Sequence, residues 1–328
     1  MSASTPEAVL RRLEWTVMRR LDGVLQGYYR KLFRGQGLDL ADLREYVYHD
    51  DVRHIDWNVT ARLQTPYVRE FNEERELAAW FLLDLSASVD FGSQHLRKRA
   101  VSTEFVTVLA RILTRHGNRV GALFYGNRVD TVIPARSGRR QVLQILHRLQ
   151  TRPPPTGTTA TNLRDLLQTA GRVAPRRSLI FVVSDFISEP GWTEPLARLA
   201  QRHDVVAVRL FDPMEMELPD LGLLVIQDAE SGEQLFVDTH DRGFRKRFAA
   251  AAQRREAELR AAFRAAGVDA LELATDDDLV DAILRFADLR KRRTQLAAGG
   301  LPSHLSARPP GTPHPGTPHL DNRASAGG

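Results

Sequence analysis

The chain has no cysteine, which excludes disulfides, thiolate zinc sites, iron–sulfur clusters and a cysteine nucleophile. It also lacks long apolar runs. None approaches the roughly 20 residues that span a bilayer, and Arg11, Arg12, Glu14, Arg19 and Arg20 interrupt any signal-peptide core near the N-terminus. A cytoplasmic protein is expected. There is no P-loop Gly-x-x-x-x-Gly-Lys, no Gly-x-Ser-x-Gly elbow and no evident nucleophile–base pair, so neither ATP hydrolysis nor other catalysis is expected of the chain. A generally basic surface is missing too. Of the formal net charge of +5, the stretch 241–265 supplies all, with eight Lys/Arg against Asp241, Glu256 and Glu258. The other residues balance, which weakens an inference to nucleic acid.

What is present is ordinary for a globular protein: 328 residues, 42% hydrophobic and 7% aromatic, enough for one large domain or two smaller ones. Thr5-Pro6-Glu7 starts a helix with an N-cap hydroxyl, a proline and a first-turn acid. Leu10, Leu13, Val17, Leu21, Val24 and Tyr28 follow at helical spacing, and the segment 1–33 reads as an amphipathic helix. Residues 34–77 are denser in charge and read as a small β-rich extension, with Tyr46-Val47-Tyr48 and Val59-Thr60-Ala61 as strand pieces. His49, Asp50, His54 and Asp56 in this region can be drawn as a metal site, but pairing of the acids with Arg44, Arg53 and Arg62 fits better.

From residue 78 to 293 apolar strands alternate with amphipathic helices, which predicts a doubly wound, mostly parallel α/β sheet. Gly126-Asn127 signals a hairpin that places one antiparallel strand, Arg128 to Ile133, at an edge. Leu223 to Ile226 and Gln234 to Val237 read as a second hairpin. Residues 294–328, with Pro309-Pro310 and a doubled Gly-Thr-Pro-His, lack the apolar residues to offset their ordering entropy and are expected to be disordered.

The chemistry gathers at Asp84-Leu85-Ser86-Ala87-Ser88. The run Ala78-Ala79-Trp80-Phe81-Leu82-Leu83 has no polar alternation, so it reads as a strand covered on both faces, and the carboxylate and two hydroxyls follow where it leaves the sheet. Such hard oxygen donors suit Mg²⁺, or Mn²⁺ in its place. Ligands in open parallel sheets bind outside the carboxyl ends of the strands. Asp185 ends the apolar strand Ser178 to Val183, and Thr161 sits in a hydroxyl-rich loop on the same rim. Capping of the following helix by Asp84, Ser86 and Ser88 is the plainer use of the same residues.

Asp84, Ser86, Ser88, Thr161 and Asp185 together resemble the metal-ion-dependent adhesion site of von Willebrand factor A domains. Further blocks, Ile55-Asp56-Trp57-Asn58-Val59-Thr60-Ala61-Arg62, Tyr67-Val68-Arg69-Glu70-Phe71, Ser184-Asp185-Phe186 and Asp212-Pro213 with Glu215, are similar to the bacterial family called domain of unknown function 58, over about residues 30–293. The resemblance implies a von Willebrand factor A-like α/β domain with an N-terminal extension. It also implies a noncatalytic interaction module that works with a MoxR-type AAA+ ATPase in assembly or maturation of protein complexes. In such a site Asp185, and Asp84 with it, would act through bound water, and an outward position would accept a partner's acidic side chain. The threonine loop departs from the family pattern, so Thr159 competes with Thr161 as ligand. Two rival readings stand beside this one: an Mg²⁺-dependent phosphohydrolase with Asp84 as nucleophile, for which serine at position 86 is the wrong neighbour, and a nucleic-acid binder using residues 242–264, which lacks an interleaved aromatic platform.

Overall fold

The computed structural model describes residues 5–21, 42–47, 52, 55–70, 78–92, 97–153, 161–227 and 233–297. Thr5 caps helix α1 (Pro6–Leu13) by accepting from the Ala8 N–H, and a π-type turn, Glu14–Met18, continues it. Strand β1 (Asp42–Glu45) and strand β2 (Tyr67–Glu70) pair antiparallel, with helix α2 (Trp57–Leu63) between them. Val59-Thr60-Ala61 is therefore helix, not strand. The Asp56 carboxylate accepts from the N–H groups of Asn58 and Val59, and Gln64 closes the helix in the left-handed region, at φ 55°. Capping at both ends outweighs the β preference of Val59 and Thr60. It also occupies Asp56, while His49, Asp50 and His54 lie outside the described residues.

The main body runs from strand β3 (Ala78–Asp84) through helix α3 (Lys98–Arg115), strands β4 (Arg119–Tyr125) and β5 (Val129–Arg136), helix α4 (Arg139–Thr151) and helix α5 (Leu163–Val173). Strand β6 (Leu179–Ser184), helix α6 (Thr193–Arg202) and strand β7 (Asp204–Phe211) follow, then the ribbon β8 (Leu223–Gln227) and β9 (Gln234–Asp238). Helix α7 (Arg242–Ala266), strand β10 (Asp269–Ala274) and helix α8 (Leu279–Ala297) complete it. Six strands form one sheet in the order β10-β7-β6-β3-β4-β5, parallel except for β5, which pairs antiparallel with β4 at the edge. This is the doubly wound, mostly parallel α/β arrangement with one antiparallel edge strand that the pattern predicts.

Strand β3 lies at the centre because it can be buried on both faces. Ala79, Phe81 and Leu83 face one core, built with α1, α3, α4 and α8; Trp80 and Leu82 face the other, built with α5, α6 and α7. Trp80 lies so close over β4 that a Cβ at Gly121 would meet its ring at 2.7 Å, which explains a glycine in mid-strand. The N-terminal segment docks on its own domain. Leu10, Leu13, Met18 and Leu21 are buried in the first core, Arg111 donates to Glu14 at 2.6 Å, and Arg20 reaches Asp278 at 2.8 Å. Among the described residues no helix is long and apolar enough to cross a membrane.

Candidate functional site

Two strand ends and the start of a short turn build the centre of the site. The strand β3 ends in Asp84, β6 ends in Ser184 with Asp185 directly after it, and Ser86 precedes a short 3-10 turn, Ala87–Asp90. Asp84 has no exposed surface. One of its oxygens accepts from the Ser86 N–H at 3.0 Å and the other from the Ser184 hydroxyl at 2.6 Å. Both donors are neutral, so burial is not offset. Burial first, and the Asp185 charge second, push the Asp84 carboxyl up to about 6, against the pull of its hydrogen bonds. The Ser86 and Ser88 hydroxyls lie 3.1 Å apart, oxygen to oxygen, and both are buried.

The Ser184 hydroxyl has a second task. It accepts from the Phe186 N–H at 2.9 Å, holding Phe186 in the left-handed region at φ 58°. A bulky residue is costly there, and such strain is retained where a loop must turn sharply. The Phe186 ring is fixed against Phe263, centroids 4.8 Å apart, and Trp192, 5.5 Å apart. Thr161 is buried on the neighbouring loop, and its carbonyl accepts from the Ser188 hydroxyl and the Glu189 N–H, both at 2.9 Å. The next residue, Asn162, donates its N–H to the Tyr125 hydroxyl at 2.8 Å. Burial raises the Tyr125 phenol, and the Asp84 charge adds to the effect. Thr159 lies outside the described residues.

Asp185 is held by a group that pattern reading missed. Lys98, at the start of α3, is fully buried, and its ammonium donates to Asp185 and to Glu215, each at 2.7 Å. Burial lowers the Lys98 pKa, but the two carboxylates outweigh it and leave it raised. Its N–H donates to the Phe91 carbonyl at 3.0 Å and its ammonium lies 5.8 Å from that ring's centroid. Glu215 also accepts from the Asp212 N–H at 3.2 Å, in a capping box for the turn Pro213–Glu215. Asp212 is itself buried and accepts from Thr275 at 2.8 Å. The other oxygen of Asp185 accepts from the Ile187 N–H at 3.0 Å. In the sequence Lys98 stands between Arg97 and Arg99 and looks like any solvated basic residue; only the distant Glu215 marks it out.

Asp84, Ser86, Ser88 and Asp185 are thus joined by hydrogen bonds or by direct electrostatics, and Thr161 is tied into the same loops. The residue types fit a small hard cation. Two cis oxygens on an ion with bonds of 2.0–2.1 Å would stand about 3 Å apart, close to the Ser86–Ser88 spacing, and a buried carboxylate with only neutral donors is a suitable counter-charge. Among the described residues no group of three or more His, Asp or Glu is placed to hold a metal, so the hydroxyls are essential to any such site. Beside the rim a cleft of about 320 Å³ is lined by Asp185, Trp192, Arg209, Glu215 and Met216 among others. Arg209, buried on the cleft wall, pairs with Glu256 of α7. Of the apolar stripe on that basic helix, Leu259 and Phe263 are buried in the second core, while Phe244 and Phe248 are half-buried with ring centroids 6.5 Å apart.

The family model described as protein of unknown function DUF58 matches residues 42–258. An uncharacterized protein of Mycobacterium tuberculosis and one of Mycobacterium bovis are each 37% identical over 287 residues, covering 87% of this chain and 90% of their own. Among solved structures, the conserved hypothetical protein BatB from Bacteroides thetaiotaomicron shares 16% identity with a TM-score of 0.43, over 66% of this chain and 99% of its own. The SpRpn10 VWA domain shares 14% identity with a TM-score of 0.36, over 64% of this chain and 95% of its own.

Proposed function

The chain belongs to the family of proteins of unknown function DUF58, and from that premise we propose that it is a noncatalytic protein-interaction module whose contact point is the Asp84 rim. One observation carries the reading: Asp84 is wholly buried beside Asp185, and its hydrogen bonds, from Ser86 and Ser184, come from neutral groups. A charge so placed is expensive unless a cation or proton offsets it, and such groups cluster at functional sites. Asp84, Ser86, Ser88, Thr161 and Asp185 would hold Mg²⁺ or Mn²⁺. The bound ion would supply an electrophilic centre for an Asp or Glu side chain of a partner. Ser184 and Lys98 orient the two carboxylates, and the strained turn at Phe186 holds the loop that follows them. The partner we propose is a MoxR-type AAA+ ATPase, acting with this chain in assembly or maturation of other protein complexes. Among the described residues, the rim carboxylate Asp84 accepts only from Ser86 and Ser184, and the reading we adopt for it is binding.

The test is direct binding of a purified MoxR-type ATPase from the same organism to the full chain, in Mg²⁺ and in EDTA. Binding in Mg²⁺ that is lost in EDTA and in Asp84→Ala is expected. Binding indifferent to both would remove the rim from the interface. Release of phosphate from a generic phosphoester in Mg²⁺, abolished in Asp84→Ala, would sink the noncatalytic reading.

A further inference from the structure

Lys98 stands at the first residue of α3, where the aligned backbone N–H groups already make the potential positive. A cation is disfavoured there, and more so with no solvent contact. What holds it is the pair of carboxylates, Asp185 with 1% and Glu215 with 19% of their side-chain surface exposed. The charges of Asp84 and of the groups joined directly by the Lys98 ammonium can then be counted. Asp84, Asp185 and Glu215 contribute three negative charges when ionised and Lys98 one positive, which leaves minus two. A dication would bring that to zero, whereas without the ammonium the deficit would be minus three.

Geometry adds to the count. Both oxygens of Asp185 already accept a donor, one from the Ile187 N–H and one from Lys98. Lys98 in turn is tethered through Glu215 to Asp212. Asp185 is therefore tethered, through Lys98 and Glu215, to the turn after β7.

We infer that Lys98 is the positioning residue that sets the cation affinity of the rim: as an internal counter-ion it restrains Asp185 and weakens divalent binding to a readily reversible level. This deepens the proposed metal-dependent function and rests on it. Lys98 competes for the same carboxylate charge as the ion. Removing it favours the ion, and removing Glu215's charge disfavours it.

Mn²⁺ alone is the probe, titrated into the full chain and read by the electron paramagnetic resonance signal of the free ion. Lys98→Met is expected to bind Mn²⁺ roughly tenfold or more tightly than wild type, because a full positive charge close to the ion is gone. Its melting temperature should be lower in EDTA and rise further on adding Mn²⁺ than that of wild type. Glu215→Gln, which keeps the ammonium, should bind several-fold more weakly, and it carries the test alone if Lys98→Met does not fold. Wild-type binding that depends on Asp84, with Lys98→Met equal or weaker, would overturn the role of Lys98 and leave the metal reading standing. Glu215→Gln binding as tightly as wild type would do the same. No Mn²⁺ bound by wild type or by either variant would overturn both.

Discussion

The two ends of the same parallel strands handle charge in opposite ways. At the amino end, Arg290 of α8 pairs with Asp204 at 2.5 Å and with Asp269 at 3.5 Å, all three side chains keeping 13 to 24% of their surface exposed. Beside them His203 is buried, and neither ring nitrogen has a hydrogen-bond partner among the described residues. At the carboxyl end, Asp84 and Lys98 have no exposure, and Asp185 almost none. The ion pairs of the first end sit where water can still screen them and fasten α8 to the sheet. Those of the second sit where desolvation is most costly, on loops that turn through a left-handed phenylalanine. Equal stability could be had more cheaply from apolar side chains. Stability alone therefore accounts for the charges of the amino end but not for those buried at the carboxyl rim.

The largest effect should separate the ends by stability alone. In EDTA at neutral pH, Asp185→Asn leaves the buried Lys98 with Glu215 as its one carboxylate partner, at a cost of about 3 kcal/mol. Asp204→Asn leaves Arg290 with Asp269 in a half-screened site and should cost under about 1 kcal/mol. Urea midpoints measure both, and equal costs would erase the distinction.

A smaller effect has opposite signs at the two ends. Asp84 binds its proton more readily folded than unfolded. Its stabilising contribution is therefore full below the ordinary value of 3.8 and is lost as pH rises through about 6. His203 is lowered from 6.5, by burial first and by Arg202 and Arg177 next. Its contribution is full above 6.5 and is lost as pH falls through the depressed value. In metal-free buffer, stability curves of Asp84→Asn should therefore lack a loss on going from about pH 4 to 6 that wild type shows. The smallest effect belongs to His203→Gln, which should flatten the acid-side decline below pH 6.5. A wild-type curve whose rim component rose with pH would show that Asp84 has a cationic partner that outweighs its burial.

Much of this was legible in the chain itself. The unbroken apolar run before Asp84 forces a strand with both faces covered, and Gly126-Asn127 forces the antiparallel edge. The rim residues Asp84, Ser86, Ser88 and Asp185 are readable because they sit just where apolar strands stop. Two things were not. The helix over Val59, Thr60 and Ala61 depends on a cap at Asp56 and a left-handed Gln64, local signals that β-branched residues obscured. Lys98 depends on Glu215, 117 positions away, and nothing within its own helix distinguishes a lysine that is swallowed from one that is solvated.

The docked N-terminal segment has a consequence for the order of events during synthesis. Leu10, Leu13, Met18 and Leu21 leave the ribosome before the helices that cover them, and Arg20 finds Asp278 only after 258 further positions. At translation speeds of about 5–20 residues per second, that is a wait of tens of seconds. Until α3 and α4 emerge to cover it, a greasy stripe flanked by arginines is on offer to any chaperone or nascent neighbour. The Arg20 clamp on Asp278 is then among the last contacts to form, so a slow stretch of codons or a weakened clamp would be felt as lost yield while the finished molecules remained sound.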